Sequence, residues 1–149
     1  LFLLLGSLLM FLAEKFAYTD RISVETLSPK KSLIIGFFQS LALFPGFSRS
    51  GSTISGGMIL GLSRREAARF SFLLSIPIVW VAGLYEFIKI PLQNVSTVLY
   101  LPLFVGVLSS FVIGLLCIKF FMKFVSDRNL FPFIIYRLVL SIFLIFTLI

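Results

Sequence analysis

The 149-residue sequence has no histidine, one cysteine, one tryptophan and six acidic residues. Each shortage excludes something. The single Cys117 sits inside an apolar run, so there is no disulfide framework and no thiolate metal site; its expected role is packing. Charged residues make up 13% of the chain, against about 25% in an ordinary soluble domain. So little polar surface does not cover a globule. No solenoid-length repeat or low-complexity tract occurs, and no linker suggests a second domain. The opening Leu1-Phe2-Leu3-Leu4-Leu5 has neither a basic n-region nor a small-residue cleavage site, so it reads as the middle of a membrane helix and not as a signal peptide. We therefore expect a fragment of a longer protein.

What the chain has in abundance is apolar surface: 59% hydrophobic residues, 16% aromatic, and a mean hydropathy of +1.11. This composition predicts an all-α integral membrane protein with several helices. The net charge of +7 and pI of about 10.0 do not call for nucleic acid. The basic residues lie in short connections between apolar runs, which the positive-inside bias accounts for without such a partner.

Residues 1 to about 17 are long enough for one crossing, and a polar connection follows from Tyr18 to Lys31. Leu33 to Phe44, interrupted by Gln39, would reach only about 18 Å as a helix, short of a hydrocarbon core of about 30 Å. Then comes a polar island, Pro45-Gly46-Phe47-Ser48-Arg49-Ser50-Gly51-Ser52-Thr53, and a second short apolar run to Leu62 containing Gly56, Gly57 and Gly61. A re-entrant hairpin over about 32–62 and a single broken crossing both fit these lengths. Loop charge favours the hairpin. It places Arg21, Lys30, Lys31, Arg64, Arg65, Arg69, Lys119, Lys123 and Arg128 on one face, leaving only Lys89 on the other. Irregular backbone at membrane depth must be buried in protein or line a wet cavity, so the island should line a cavity.

Ser63 reads as an N-cap with Glu66 completing a capping box. The helix it starts runs to about Ile88, with Pro77 as a kink and Ser71 or Ser75 re-satisfying freed backbone groups. Pro91 to Ser96 is a short outer connection, about Thr97 to Cys117 a further crossing, Lys119 to Asn129 a basic loop, and Phe131 to Ile149 the last crossing. The expected architecture is one membrane domain over 1–149, with about four transmembrane helices plus the hairpin.

An arginine at membrane depth costs about 2.5–3.5 kcal/mol on insertion scales, so it is seldom there without an anionic partner or a wet pocket. Arg49 is flanked by Ser48 and Ser50, with Ser52 and Thr53 close by. A helix is expected to start near Thr53. A guanidinium, small hydroxyl donors and a helix N-terminus are the equipment of a phosphate site. Gly46 and Gly51 would permit close backbone approach and positive φ. A plain surface turn with Arg49 reaching lipid headgroups is the alternative. Arg64, Arg65 and Arg69 read as topology determinants and headgroup contacts. Arg137, about two turns into the last helix, either snorkels or pairs internally, with Glu86 the nearest acidic residue to suspect.

The stretch Gly36-Phe37-Phe38-Gln39-Ser40-Leu41-Ala42-Leu43-Phe44 and the island after it resemble the second signature motif of the bacterial undecaprenyl-diphosphate phosphatases, the family linked to bacitracin resistance. The resemblance continues through Gly61-Leu62-Ser63-Arg64, Ala67 to Pro77, Phe131-Pro132-Phe133 and Tyr136-Arg137, covering nearly the whole chain. It implies a multi-pass enzyme of the bacterial inner membrane that hydrolyses undecaprenyl diphosphate to undecaprenyl phosphate, the lipid carrier of peptidoglycan synthesis. It also implies a fold of two inverted halves, each with a re-entrant hairpin. Carried over, Arg49, Ser48 and Ser50 are the catalytic candidates. Arg49, Ser48, Ser50, Gly51, Thr53 and Gln39 would bind the substrate phosphates, with Gln39 alternatively making an interhelical hydrogen bond.

The family's other signature supplies acidic residues and a histidine that this chain lacks. A divalent metal, Mg or Ca, is implied with its ligands in a missing N-terminal half; no metal ligand is expected here, and the 149 residues alone are expected to be inactive. Partners are then the lipid substrate, the bilayer and the missing half, with a homo-oligomer left open. Topology by itself also fits a polyprenyl-phosphate or anion transporter or flippase using the hairpin as its anion site.

Overall fold

The computed structural model of the chain describes residues 1–16, 22–89 and 100–148. They form six α-helices: α1 (Phe2–Phe16), α2 (Pro29–Ser40), α3 (Arg49–Ile59), α4 (Arg64–Lys89), α5 (Tyr100–Asp127) and α6 (Phe131–Leu148). Short 3₁₀ turns at Val24–Thr26 and Leu41–Leu43 join them. The chain divides into two units, one of residues Leu1–Leu73 with Val125–Ile149, the other of Leu74–Phe124.

In the first unit α3 is the centre. Eight consecutive residues, Gly51 to Met58, are buried, which an eleven-residue helix achieves only when neighbours cover it on every side. Its small residues make that coverage possible. A Cβ on Gly51 would meet Met10 of α1, one on Gly56 would meet Phe38 of α2, and one on Gly57 would meet Ala67 of α4. Close backbone approach through small residues is how helices associate when lipid removes the hydrophobic incentive.

α2 and α3 form a helical hairpin. Ser28 caps α2 by accepting from the Lys31 N–H, and Pro29 occupies its first turn, where no N–H is needed. The hairpin closes at its open end, where Lys31 Nζ donates to the Leu60 carbonyl at 3.0 Å, so the two helices are antiparallel. Gly46 abuts Leu3, Gly6 abuts Phe47 and Gly51 abuts Met10, so α1 runs parallel to α3 in steady register. Phe2 stacks on Phe44 with centroids 4.8 Å apart, and α6 covers α1, with Phe131 edge-on to Phe11 at 6.1 Å.

The α3 to α4 turn holds Gly61 at φ 103°, a left-handed conformation that favours glycine. Ser63 Oγ accepts from the Glu66 N–H at 3.2 Å as expected of a cap. The Glu66 carboxylate does not return to Ser63. It accepts from Val24 N at 3.0 Å, while Ile22 N donates to the Gly61 carbonyl at 3.0 Å. The capping box is therefore replaced by a tie between the segment after α1 and the start of α4.

The second unit comprises the remainder of α4, continuous through Pro77, and most of α5. Its large apolar side chains, among them Trp80, Phe87, Phe104 and Phe120, are exposed. Arg64–Lys89 and Leu101–Asp127 are long and apolar enough to cross a bilayer; α6 is a shorter apolar helix. Exposed apolar side chains on such helices are what a lipid solvent requires, and the chain is a membrane protein.

Boundaries differ from expectation at three places. The hairpin starts at Pro29 and α3 ends at Ile59, because capping by Ser28 starts α2 ahead of the apolar run. α3 begins at Arg49 and not near Thr53. α5 continues to Asp127, so Lys119 and Lys123 lie on a helix and not in a loop; both are good helix formers. The Pro91 to Ser96 connection and Arg21 fall outside the described residues.

Candidate functional site

The turn that leads into α3 is set by two residues with positive φ, Gly46 at 89° and Ser48 at 78°. For a serine this region is sparsely populated and costs about 1–3 kcal/mol, so the surroundings must over-determine it. They do so by hydrogen bonds. Phe44 N donates to Leu41 O and Phe47 N to Phe44 O, at 3.2 and 3.1 Å. Phe47 is buried at 9% exposure and anchors the turn to the core. Ser48 is the N-cap of α3, its Oγ accepting from Gly51 N at 3.2 Å.

The hydroxyls then divide into two kinds. Ser52 Oγ donates to the Ser48 carbonyl and Thr53 Oγ1 to the Arg49 carbonyl, each at 2.7 Å, and both residues are at most 1% exposed. These two hold the turn and the first helical turn together. Gly51 is helical and buried, so its small size serves packing against Met10, not a positive φ. Its N–H is engaged by Ser48.

Arg49 and Ser50, the first two residues of α3, are exposed. Their N–H groups are among the first four of the helix and have no carbonyl within it to bind. Among the described residues the Arg49 guanidinium forms no ion pair. A cation, and a hydroxyl and two N–H groups that form no hydrogen bond among the described residues, thus share the positive end of a helix dipole, an arrangement suited to an anion. Gln39, near the end of α2, is placed differently. Its Oε1 is buried without a hydrogen-bond partner among the described residues, and no hydrogen bond joins it to the turn.

Two of the three arginines after α3, Arg64 and Arg69, are engaged in ion pairs. Arg64 pairs with Glu14, whose side chain is only 3% exposed, with Nε donating to Oε1 at 2.7 Å. Arg69 pairs with Glu25 at 2.6 Å and approaches Glu66 at 3.7 Å. Tertiary ion pairs, not headgroup contact alone, therefore account for two of the three arginines, while Arg65 is exposed. Glu25 is held below the usual carboxylate range, first by a hydrogen bond from its own backbone N–H, then by Ser23 and Arg69.

Glu86 binds Lys89 at 3.5 Å along its own helix, and among the described residues no ion pair of Arg137 occurs. Arg137 Nη2 instead donates to the carbonyls of Leu3, Gly46 and Phe47 at 3.2, 2.9 and 3.1 Å, and Nε donates to Ser7 Oγ at 3.2 Å. This link from α6 to the turn was missed in the sequence. Its one signal was an arginine inside an apolar helix.

No group of three or more His, Cys, Asp or Glu side chains occurs among the described residues. Around the turn the donors are cationic and hydroxylic, without a carboxylate. This donor set suits a phosphate and does not suit a divalent cation, which prefers several anionic oxygens.

A family model described as bacitracin resistance protein BacA matches residues 1–143. The chain is 43% identical over 152 aligned positions to an undecaprenyl-diphosphatase of Wolinella succinogenes, covering 97% of this chain and 57% of that protein. It is 45% identical over 136 positions to one of Campylobacter jejuni, covering 90% and 50%. With one of a Geobacillus species the figures are 42% over 143 positions, covering 94% and 52%. The chain thus spans about half the length of the curated relatives it matches. The match includes α1 to α5, most of α6 and the strained turn that α3 begins from, and on that ground the chain belongs to the bacitracin resistance protein BacA family.

Proposed function

We propose that this chain is the phosphate-holding half of a membrane undecaprenyl-diphosphatase, with the turn before α3 gripping the diphosphate of the lipid. The observation that carries this is the exposed, unpaired Arg49 beside Ser50 on a deliberately strained N-terminal turn. A planar guanidinium offers two parallel N–H groups to phosphate oxygens. It stabilises the charge that spreads over those oxygens as the terminal phosphoryl group is transferred to water. Ser50 Oγ and the N–H groups of Arg49 and Ser50 donate to the same oxygens. Ser48, Ser52 and Thr53 hold the backbone that presents them. Gln39, whose Oε1 is buried without a partner among the described residues, is the candidate to orient water or phosphate.

We place the nucleophile activator, the general acid and the ligands of the divalent metal, Mg or Ca, outside these 149 residues, in the remainder of a polypeptide as long as the relatives. In this reading α1, α4, α5 and α6 cross the inner membrane. The α2–α3 hairpin enters and leaves on the basic face, and its tip meets the partner half near the midplane. That the relatives are undecaprenyl-diphosphatases favours hydrolysis over transport.

Phosphate release from a polyprenyl diphosphate, measured with the protein as the cell makes it in detergent, tests this. Arg49→Ala should lower turnover at least a thousandfold, and Arg49→Lys should lower it by about a hundredfold, because a point charge lacks the fork. Turnover within threefold of the parent in Arg49→Ala rejects the assignment. Lipid translocation without phosphate release would favour a transporter instead.

A further inference from the structure

An arginine inside an apolar helix needs compensation, and among the described residues Arg137 receives it from no carboxylate. Three backbone carbonyls converge on one of its nitrogens, and a serine hydroxyl accepts from another. Two of those carbonyls belong to Gly46 and Phe47. They immediately precede Ser48, the non-glycine residue at φ 78° that starts α3, and Arg49. The third carbonyl, of Leu3, and the Ser7 hydroxyl belong to α1, and Ser7 Oγ itself donates to Leu3 O at 2.8 Å. One side chain from α6 therefore ties α1 to the turn.

Gly6 makes the tie possible. A Cβ there would collide with both the Phe47 carbonyl oxygen and Arg137 Nη2. A backbone in a sparsely populated conformation persists only when its surroundings over-determine it, and here the fixing donor arrives from a distant helix. The nitrogen that holds Gly46 and Phe47 thereby sets where the next two residues, Ser48 and Arg49, are aimed.

We propose that Arg137 is a positioning residue for the phosphate site, acting through the Gly46 and Phe47 carbonyls to hold Arg49 and the first turn of α3 in place. This rests on the turn being the phosphate site. It does not require Arg137 to touch substrate. Misplacing a binding group by about 1 Å can lower a rate by about a hundredfold, so the effect falls on kcat more than on global stability.

The test compares Arg137→Gln, Arg137→Lys and Gly6→Ala, with Arg49→Ala as benchmark, in the detergent-solubilised protein as the cell makes it, using a polyprenyl diphosphate. A spin label on Leu43→Cys in a Cys117→Ser background reports the mobility of the turn. Leu43 is 84% exposed and lies before the turn, outside the binding residues. Arg137→Gln and Gly6→Ala should each lower kcat about ten- to a hundredfold and sharpen the label spectrum, with Arg137→Lys recovering part of both. Should Arg137→Gln fail to fold, Gly6→Ala decides, since it keeps every charge.

An unchanged kcat overturns the proposal, as does a lowered kcat with an unchanged label spectrum, because the loss would then not arise from the turn. If Arg49→Ala retains turnover, the phosphate-site assignment fails. If Arg49→Ala is inactive while the Arg137 and Gly6 variants match the parent, only the positioning role fails.

Discussion

Glu14 Oε1 accepts from Arg64 Nε at 2.7 Å, joining the end of α1 to the start of α4 across fifty residues, with the glutamate side chain 3% exposed and the arginine 33%. The asymmetry in burial predicts an asymmetry in mutation. Arg64→Ala leaves a buried carboxylate alone and should destabilise by about 3 kcal/mol, whereas in Glu14→Gln the half-exposed arginine turns to water and the loss should be about 1 kcal/mol. Thermal unfolding of the two variants in detergent gives the order, and equal shifts would contradict it.

Gly56 and Gly36 should respond oppositely to alanine. A Cβ on Gly56 falls 2.6–2.8 Å from Phe38 side-chain atoms, while one on Gly36 meets nothing within 4 Å. Gly56→Ala should destabilise by about 1–3 kcal/mol through overpacking, and Phe38→Leu in the same chain should recover part of it. Gly36→Ala should cause no loss, since helix propensity favours alanine. Melting temperatures of the four proteins check this.

Thr53 and Ser50, close in sequence but one buried and the other exposed, should separate stability from turnover. Thr53→Val removes a buried hydroxyl that holds the Arg49 carbonyl and should lower stability by about 1 kcal/mol. Ser50→Ala should leave the melting temperature unchanged and lower phosphate release about tenfold. A Ser50→Ala protein with parental turnover would remove that hydroxyl from the site.

Glu25 supplies a pH signature outside the membrane. Its pKa is lowered by its own backbone N–H, then Ser23 and Arg69, so the ionised form is favoured in the fold. A depressed carboxylate stabilises above its ordinary value of 4.5, and that contribution disappears as pH falls through the lower folded value. The melting-temperature difference between the parent and Glu25→Gln should therefore be present at pH 7 and vanish in strong acid. It should be small, because the pair is exposed, and a difference that grows on acidification would refute the assignment.

The 149 residues on their own should release no phosphate from a polyprenyl diphosphate, and co-expression with the remainder of a relative-length polypeptide should restore release. Activity from the isolated chain would show that the acid, base and metal ligands are not elsewhere.

Local chemistry made much of this legible in advance. Length and apolarity gave helical membrane segments, Ser63 was read as a cap, and loop charge, with the brevity of the runs around Pro45 to Thr53, favoured a hairpin, of which the structure shows the antiparallel pair α2 and α3. The glycines and buried hydroxyls were harder. Gly51 and Thr53 read as phosphate-binding candidates, and the structure shows both also packed into α3, because a small polar residue reads alike whether it binds a ligand or lets two helices approach. Lys119 and Lys123 were read as loop because charge at the end of an apolar run signals an interface, and a helix can continue past it.

What the sequence determined by itself was the solvent, the helices and the residue types at the tip, since hydropathy, segment length and motif spacing are local properties of the chain. The tertiary structure alone decided which donors remain free. Burial of α3 from Gly51 to Met58 commits Ser52 and Thr53 to their own helix, and the opposing carboxylates claim Arg64 and Arg69. Arg137 is spent on carbonyls 90 or more residues away in sequence, whereas among the described residues the Arg49 guanidinium forms no ion pair and is left open to an anion. Partners brought together by packing, and not by spacing along the chain, make that selection.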